Sequence, residues 1–510
     1  MKKQLYILIS ILSVQHLSAQ IPEEALRLSW TTQQGTARSM ATGGAMVSLG
    51  GDATSVIVNP AGLAFFKTSD FVVSPGLQFA KPRSAFRGTS YTGDKKNTLA
   101  FGTSGFVFGG YGYKARNSFA ITYTRVADFN QRVYYKGQND YSSFAEPLAD
   151  EFAASHLTID QALNSPDISL TTRMALYTYL VDTATINGTQ QVIARSENPG
   201  LLNQEYLSET SGGKNEISLG LGHELTKKFY VGGTLGIVLV NLDRKTYYRE
   251  SDATGITNNN FSFFAYDERY KLSGAGINLR IGAIYRPKEY IRLGIAIHSP
   301  DLLNLTEKFN AGLATDVENL FTPGYDSVTS TTINGAAIPN TKYTLYTPGR
   351  IMISGSYVFR EVENINRQKG FITADLEYVN YKWNRFGSSD EETSDTKSYF
   401  KPYNDAIDAI YKGTFNFKVG GELKFKIIMA RLGFAYYGNP YKDKELKARK
   451  MNLSGGLGYR NKGVFVDLTY VHRLNKDVNF PYRVNYPRAN TFAGLKDNGG
   501  TVYLTVGCKI

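Results

Sequence analysis

From about residue 70 onward, apolar residues alternate with polar or small ones over runs of roughly ten. The last ten residues, TVYLTVGCKI, place Val502, Leu504, Val506, Cys508 and Ile510 on one face and Tyr503, Thr505, Gly507 and Lys509 on the other. YIRLGIAIHS groups Ile291, Leu293, Ile295 and Ile297 against Arg292 and His298. GTFNFKVGGELKF sets Phe415, Phe417, Val419 and Leu423 against Asn416, Lys418 and Glu422. GVFVDLTYV sets Val464, Val466, Leu468 and Tyr470 against Asp467 and Thr469. A period of two with one apolar face predicts strands that meet lipid on one side and a wet lumen on the other. About fourteen such strands are expected, near 70–80, 97–110, 116–126, 214–226, 228–241, 265–285, 289–299, 349–359, 370–382, 412–425, 427–437, 450–461, 463–473 and 500–510.

The links between them alternate. Long ones fall near 81–96, 127–213, 242–264, 300–348, 383–411, 438–449 and 474–499, and short ones include LTKKFY, RPKEY and RNKG. An even strand count with short turns at one mouth and long loops at the other is the pattern of an outer-membrane barrel, with both termini on the periplasmic side. In lipid every backbone N–H and C=O must be paired within the protein, so only helices or a closed sheet can span. No apolar run suits a spanning helix, and closure removes the sheet edges that promote aggregation. The expected fold is therefore all-β, a 14-stranded antiparallel transmembrane barrel. A soluble β-solenoid or sandwich array explains the alternating link lengths less well.

The front of the chain, MKKQLYILISILSVQHLSAQ, has a charged start at Lys2 and Lys3, an apolar stretch from Leu5 to Leu12, and small Ser18 and Ala19. It reads as a signal peptide, residues 1–19, cut after Ala19. Residues 20–68 then form an N-terminal segment and 69–510 the barrel. Within the longest link, Ser143 with Glu146 and Thr158 with Gln161 match capping boxes. Phe144, Leu148 and Phe152, and then Met174, Tyr177 and Val181, recur at helical spacing. Short loop helices are expected there, which either pack the loop on itself or offer an apolar landing surface.

Composition agrees: Tyr and Phe number 35 and 29, Gly 49 and Trp only 2. The net charge of +12 comes from scattered Lys and Arg, which argues against a nucleic-acid partner. Cys508 is the sole cysteine, so no disulfide framework exists. The five His (16, 156, 223, 298 and 472) show no metal spacing, and no nucleophile elbow or phosphate loop is present. No catalytic constellation, metal or cofactor is expected. The charges that the alternation turns inward are Arg280, Arg292, Asp375, Glu377, Lys418, Glu422, Arg431 and Asp467. They either form ion-pair networks in the lumen or, for the cations Arg280, Arg292, Lys418 and Arg431, meet a ligand head group.

Between the signal peptide and the first strand, the glycine pairs 43–44 and 50–51 allow sharp reversals, and Pro60 keeps Asn59 out of helix. A compact segment at the periplasmic mouth fits inside the lumen as a plug. Gly35-Thr-Ala37-Arg38, Gly44, Gly51-Asp52-Ala53 and Asn59-Pro60-Ala61 together resemble the front of the outer-membrane long-chain fatty acid transporter family, also named for toluene and related hydrocarbons. The local resemblance spans roughly 35–66, and the architecture extends it over the mature chain. It implies passive uptake of hydrophobic molecules across an outer membrane rich in lipid and lipopolysaccharide. It also implies a plug whose motif (Gly51, Asp52, Asn59, Pro60, Ala61) forms the gate, and exit through a gap in the wall. Gly102, Gly105, Gly109 and Gly110 are candidate positions for the kink such a gap needs. Where family members commonly end in an aromatic, this chain ends in Ile510. The alternatives are a related barrel that holds secreted protein cargo through its long loops, and a general polar porin, which a filled lumen argues against.

Overall fold

A computed structural model describes residues 22–94, 96–110, 116–359, 369–389, 393–485 and 488–510. The expected signal peptide lies outside them.

Fourteen antiparallel strands form one closed wall. They are β1 (Asp70–Val73, continued as Pro75–Ala80), β2 (Lys96–Phe101, Ser104–Phe108), β3 (Asn117–Asp128, Gln131–Asn139), β4 (Leu202–Thr226), β5 (Phe229–Asp252), β6 (Phe263–Lys288) and β7 (Ile291–His298, Leu302–Asp316). Then follow β8 (Thr341–Tyr346, Arg350–Phe359), β9 (Gly370–Asn380), β10 (Gly413–Phe425), β11 (Ile428–Tyr437), β12 (Lys450–Asn461), β13 (Val464–Arg473) and β14 (Gly500–Lys509). Each pairs with its neighbour, and β14 closes on β1, with Val506 opposite Val73 and Tyr503 opposite Gly76.

The two faces behave as the alternation predicts. Leu504, Val506, Leu293, Ile295, Phe415 and Leu468 are exposed on the outside, whereas Tyr503, Thr505, Asn416, Asp467 and Thr469 are buried toward the lumen. Among the described residues no helix is long and apolar enough to cross a membrane.

The boundaries depart from expectation where strands outlast their apolar alternation. β4, β5 and β6 run for 25, 24 and 26 residues. Beyond the apolar band their pairs become polar, as in Glu205 with Arg249 and Thr246 with Glu268, and a lipid-facing pattern no longer marks them. Links 81–96 and 474–499 meet in a separate four-stranded sheet of Asn475–Asn479, Ala493–Asp497, Pro82–Phe86 and Thr89–Thr92. The 383–411 link carries a 17-residue helix, Ser394–Ile410, that the sequence reading lacked.

In the 127–213 link, three helices (Glu146–Ser155, Ile159–Asn164 and Leu170–Tyr177) precede a hairpin, Val181–Ile186 with Thr189–Ala194. The Thr158–Gln161 capping box is complete. Only half of the Ser143–Glu146 box forms: the Ser143 N–H donates to Glu146 Oε1, but the Ser143 hydroxyl turns to Glu250 instead. Val181 begins a strand rather than extending the helix. Phe144, Leu148, Phe152 and Met174 are buried in one cluster with Tyr248 and Phe264, so most of this apolar surface packs the loop against the strand extensions.

Candidate functional site

Residues 22–66 fill the lumen as α1 (Pro22–Ser29), α2 (Ala37–Ala41), α3 (Ser55–Val58) and a 3-10 turn, Pro60–Phe65. Nearly every residue from Ala37 to Ala64 is buried. The 3-10 turn sits at the short-link mouth, with Phe65 stacked on Tyr230 at 4.3 Å between ring centroids, and Arg292 lies over the same Phe65 ring. At the other end, α1 packs against the Ser394–Ile410 helix. The wall's two ends share one mouth, but the first described residues of the chain lie toward the long loops.

The Asn59-Pro60-Ala61 motif is the plug's principal staple. The Asn59 amide donates to the Val47 carbonyl at 2.6 Å and to the wall carbonyls of Ala283 and Ile295 at 3.3 Å each. Its Oδ1 accepts from Ala61 N–H at 3.1 Å, which starts the turn that Pro60 favours. Wall residue Gly282 makes this possible, because a Cβ there would overlap the Asn59 amide oxygen. Asp52 accepts from the Thr36 hydroxyl and from Thr54 N–H, both at 2.9 Å, and so ties the two halves of the plug together. Gly51 adopts φ +65, donates its N–H to the Gly62 carbonyl and accepts from Arg38 at 3.1 Å.

The inward charges hold this plug. All seven of Arg280, Asp375, Glu377, Lys418, Glu422, Arg431 and Asp467 are buried, and Arg292 is half-buried. Arg431 bridges Glu422 at 2.6 Å and Asp467 at 2.5 Å, and Glu422 also meets plug residue Arg38 at 3.4 Å. Lys418 pairs with Glu377 at 3.2 Å, and Arg280 clamps Glu216 through both terminal nitrogens. Asp375 accepts from Met46 N–H at 2.9 Å and Val47 N–H at 3.2 Å, while Arg292 donates to the Leu49 carbonyl at 2.5 Å. Of the two alternatives for Arg280, Arg292, Lys418 and Arg431, the geometry matches the ion-pair one: none of the four lines the open cavity, and each is engaged by wall carboxylates or the plug.

The pairing of the wall is broken at β2. Among the described residues, the Lys96–Phe101 part of β2 pairs with β1 but has no backbone partner on its β3 side, whereas Ser104–Phe108 pairs with both neighbours. The register slips by a residue between these parts, across Gly102 and Thr103. A Cβ on Gly102 would overlap the Gly35 carbonyl of the plug, and one on Gly105 would overlap the Ile121 carbonyl. Behind the break, Ala37 N–H donates to the Thr505 hydroxyl at 2.7 Å, and that hydroxyl bonds Ser74 at 2.8 Å. A shallow apolar cleft lined by Phe71, Phe101, Gly105 and Tyr123 opens at the same level.

Between plug and long loops lies a cavity of about 1110 Å³. Its walls mix aromatics such as Phe129, Tyr206 and Tyr248 with charged side chains, and it reaches Gln78, Lys96 and Tyr503 beside the wall break. At its floor, Lys450 lies over the Trp30 ring at 4.1 Å and donates to the Trp30 carbonyl at 2.5 Å, with no carboxylate within ion-pair distance among the described residues. The Trp30 indole N–H and the Asn452 Oδ1 are both buried with no hydrogen-bond partner among the described residues. These three were missed in the sequence. Lys450 and Asn452 share the inward parity of Ser454, but Lys450 opens its strand, where the alternation is weakest.

Higher in the loops, Glu250 is buried and accepts from the Ser143 hydroxyl, Phe144 N–H, Gln204 and Tyr248. Burial nonetheless pushes its carboxyl up to about 7.

No family model and no curated sequence matches the chain. Solved structures do resemble it. A FadL homologue of Pseudomonas aeruginosa is 12% identical with a TM-score of 0.52, over 94% of this chain and 99% of that one. The P. putida toluene transporter TodX is 11% identical with a TM-score of 0.53, over 94% and 99%. The CymD monoaromatic hydrocarbon channel is 11% identical with a TM-score of 0.50, over 94% and 97%. At such identities the likeness shows the fold: a plugged, 14-stranded barrel of the architecture these transport proteins share.

Proposed function

We propose that this protein is an outer-membrane transporter for passive uptake of hydrophobic compounds, long-chain fatty acids or similar apolar molecules, through its plugged barrel. Residues 1–19 are its export signal, and the short links face the periplasm. The observation that carries the reading is the stack of cavity, plug and wall break. A cavity of aromatic and charged side chains below the long loops ends on plug residues, and the plug segment Gly35–Ala37 stands directly behind the unpaired edge of β2. The structures it resembles include a toluene transporter and a hydrocarbon channel.

Movement of the plug is the step that opens the route. Ligand enters the cavity among Phe129, Tyr206 and Tyr248, where aromatic rings supply most of the contact area. Lys450 gives a polar or anionic group on the ligand a cationic donor at the cavity floor. Because Lys450 and Trp30 touch each other, ligand contact at the floor pulls on the plug itself. Displacement of Gly35–Arg38 then uncovers the break at Gly102, and the molecule leaves sideways past Phe101 and Tyr123 into the membrane. Gly51, Asp52, Asn59, Pro60 and Ala61 act in this scheme as the plug's latch. The dense polar pairing around the plug disfavours a permanently open polar pore.

Mass spectrometry of apolar molecules retained after mild-detergent purification tests the ligand class, and uptake of a labelled fatty acid with and without residues 35–62 tests the route. Uptake identical in cells with and without the protein overturns the proposal.

A further inference from the structure

The net charge is not scattered in space as it is in sequence. Among the described residues, the short-link mouth, at 67–70, 116–117, 224–229, 286–291, 369–370, 424–428, 460–463 and 508–510, carries twelve Lys and Arg and three side-chain carboxylates, Asp70, Glu224 and Glu289, while the sequence of 360–368 adds two charges of each sign. That is a net of nine positive charges out of the chain's formal +12. Lys2 and Lys3 supply two more, so everything else, including seven long links, is close to neutral.

The excess is distributed as a ring. Going round the barrel, exposed Lys227, Lys288, Lys369, Lys426 and Lys462 each come from a different strand-to-strand turn. None has an ion pair among the described residues; Lys288 instead lies over the Tyr290 ring. With strands about 4.8 Å apart, such turns are spaced on the order of a Debye length, so neighbouring charges reinforce one another. Directly above them, Tyr285, Tyr290, Tyr357, Phe425 and Tyr459 are exposed on the outer face, as aromatic anchors are at a membrane interface. Two of the lysines stand where backbone conformation favours another residue: Lys426 at φ +55 and Lys462 at φ +45, in turns that glycine or asparagine fits more easily.

We infer that this ring binds the phosphates of anionic phospholipids in the leaflet bordering the short-link mouth, so that the barrel carries its own shell of acidic lipid. A ring beside an aromatic belt contacts lipid on every side, whereas an acidic protein partner calls for a one-sided patch. The charged head groups attract lysines near the surface over about a Debye length. The inference rests on the reading of the chain as an outer-membrane barrel.

The test is native mass spectrometry of the purified full-length protein, with no transported compound, in mild detergent containing equal phosphatidylglycerol and phosphatidylcholine. The wild type is expected to retain phosphatidylglycerol at least fivefold over phosphatidylcholine. The K227Q/K228Q/K426Q/K462Q variant, checked for a folded barrel by its unheated gel mobility, is expected to fall within twofold. Inorganic phosphate is expected to displace the lipid no better than chloride at equal ionic strength. An unchanged preference in the variant overturns the ring, and so does specific displacement by phosphate, which points to a site for the free ion. Salt-sensitive capture of an acidic protein with no lipid preference also overturns it. Retention of neither lipid by the wild type contradicts the membrane reading beneath it, whereas loss of fatty-acid uptake with lipid selectivity intact leaves the ring standing.

Discussion

Replacing Asn59 with alanine isolates the latch of the plug. The side chain satisfies Ala61 N–H at 3.1 Å and the Val47 carbonyl at 2.6 Å, both inside a water-poor lumen, and reaches two wall carbonyls at 3.3 Å. In Asn59→Ala the first two groups lose their side-chain partner. A buried polar group left unpaired costs about 1–3 kcal/mol, and the longer contacts add little, so with two such groups the docked plug loses about 2–6 kcal/mol. That is a shift toward the undocked plug of at least about 30-fold and at most about 20,000-fold, at about 1.4 kcal/mol per tenfold. The wall is unaffected, because its carbonyls remain paired across their strands. The assay is amide hydrogen exchange over residues 46–64 in detergent, with barrel integrity followed by gel mobility. Protection should drop at least tenfold in the plug while the strand amides of β10–β13 stay unchanged. Protection within threefold of wild type would refute the latch.

Four further outcomes follow from the same geometry. Gly282→Ala places a methyl on the Asn59 oxygen and should release the plug much as Asn59→Ala does, measured by the same exchange. Arg431→Met leaves buried Glu422 and Asp467 facing each other with one cation fewer, and should destabilise the folded barrel by about 3–5 kcal/mol in urea titrations read by gel mobility. Lys450→Met should cut retention of an anionic amphiphile about tenfold and leave retention of a neutral hydrocarbon of similar size unchanged, as counted by mass spectrometry. Glu250 lies in the part of β5 that rises beyond the apolar band. Its carboxyl is raised from 4.5 to about 7 by burial, so the folded loop holds the proton more tightly than the unfolded one. The stabilisation is present in full below pH 4.5 and is lost as pH rises through 7, by at most about 3 kcal/mol. Proteolysis of the 140–200 loop should accelerate between pH 5.5 and 8, and Glu250→Gln should flatten that dependence.

Much of the fold is legible in the chain because lipid imposes a strict rule. Leu293, Ile295 and Ile297 must face out, and Asp467 and Arg431 must face in, so period-two alternation carries the strand positions and the long–short links carry the topology. The rule lapses outside the bilayer. There the β4–β6 extensions are held by pairs such as Glu205 with Arg249, and the Ser394–Ile410 helix carries Pro402 inside it, so neither announces itself. The inward face of Arg280, Lys418 and Arg431 was readable, but their purpose was not. It depends on Glu216, Glu377 and Glu422, which parity places in the same lumen without saying which carboxylate meets which cation. Gly51-Asp52 and Asn59-Pro60-Ala61 were visible as a compact motif, and only the three-dimensional arrangement reveals that Gly282 in the wall was left open to receive Asn59.

The central claim is that the plug must move for a hydrophobic molecule to pass. Ser48 in the plug and Ser354 in β8 offer a direct test, since their hydroxyl oxygens lie 2.6 Å apart, within about 1 Å of the S–S spacing a disulfide needs. In a Cys508→Ser background, S48C/S354C should take up a labelled long-chain fatty acid normally when reduced. Uptake should fall to the level of cells lacking the protein when the pair is oxidised, and reductant should restore it. Full uptake with the crosslink shown to be complete would contradict the account.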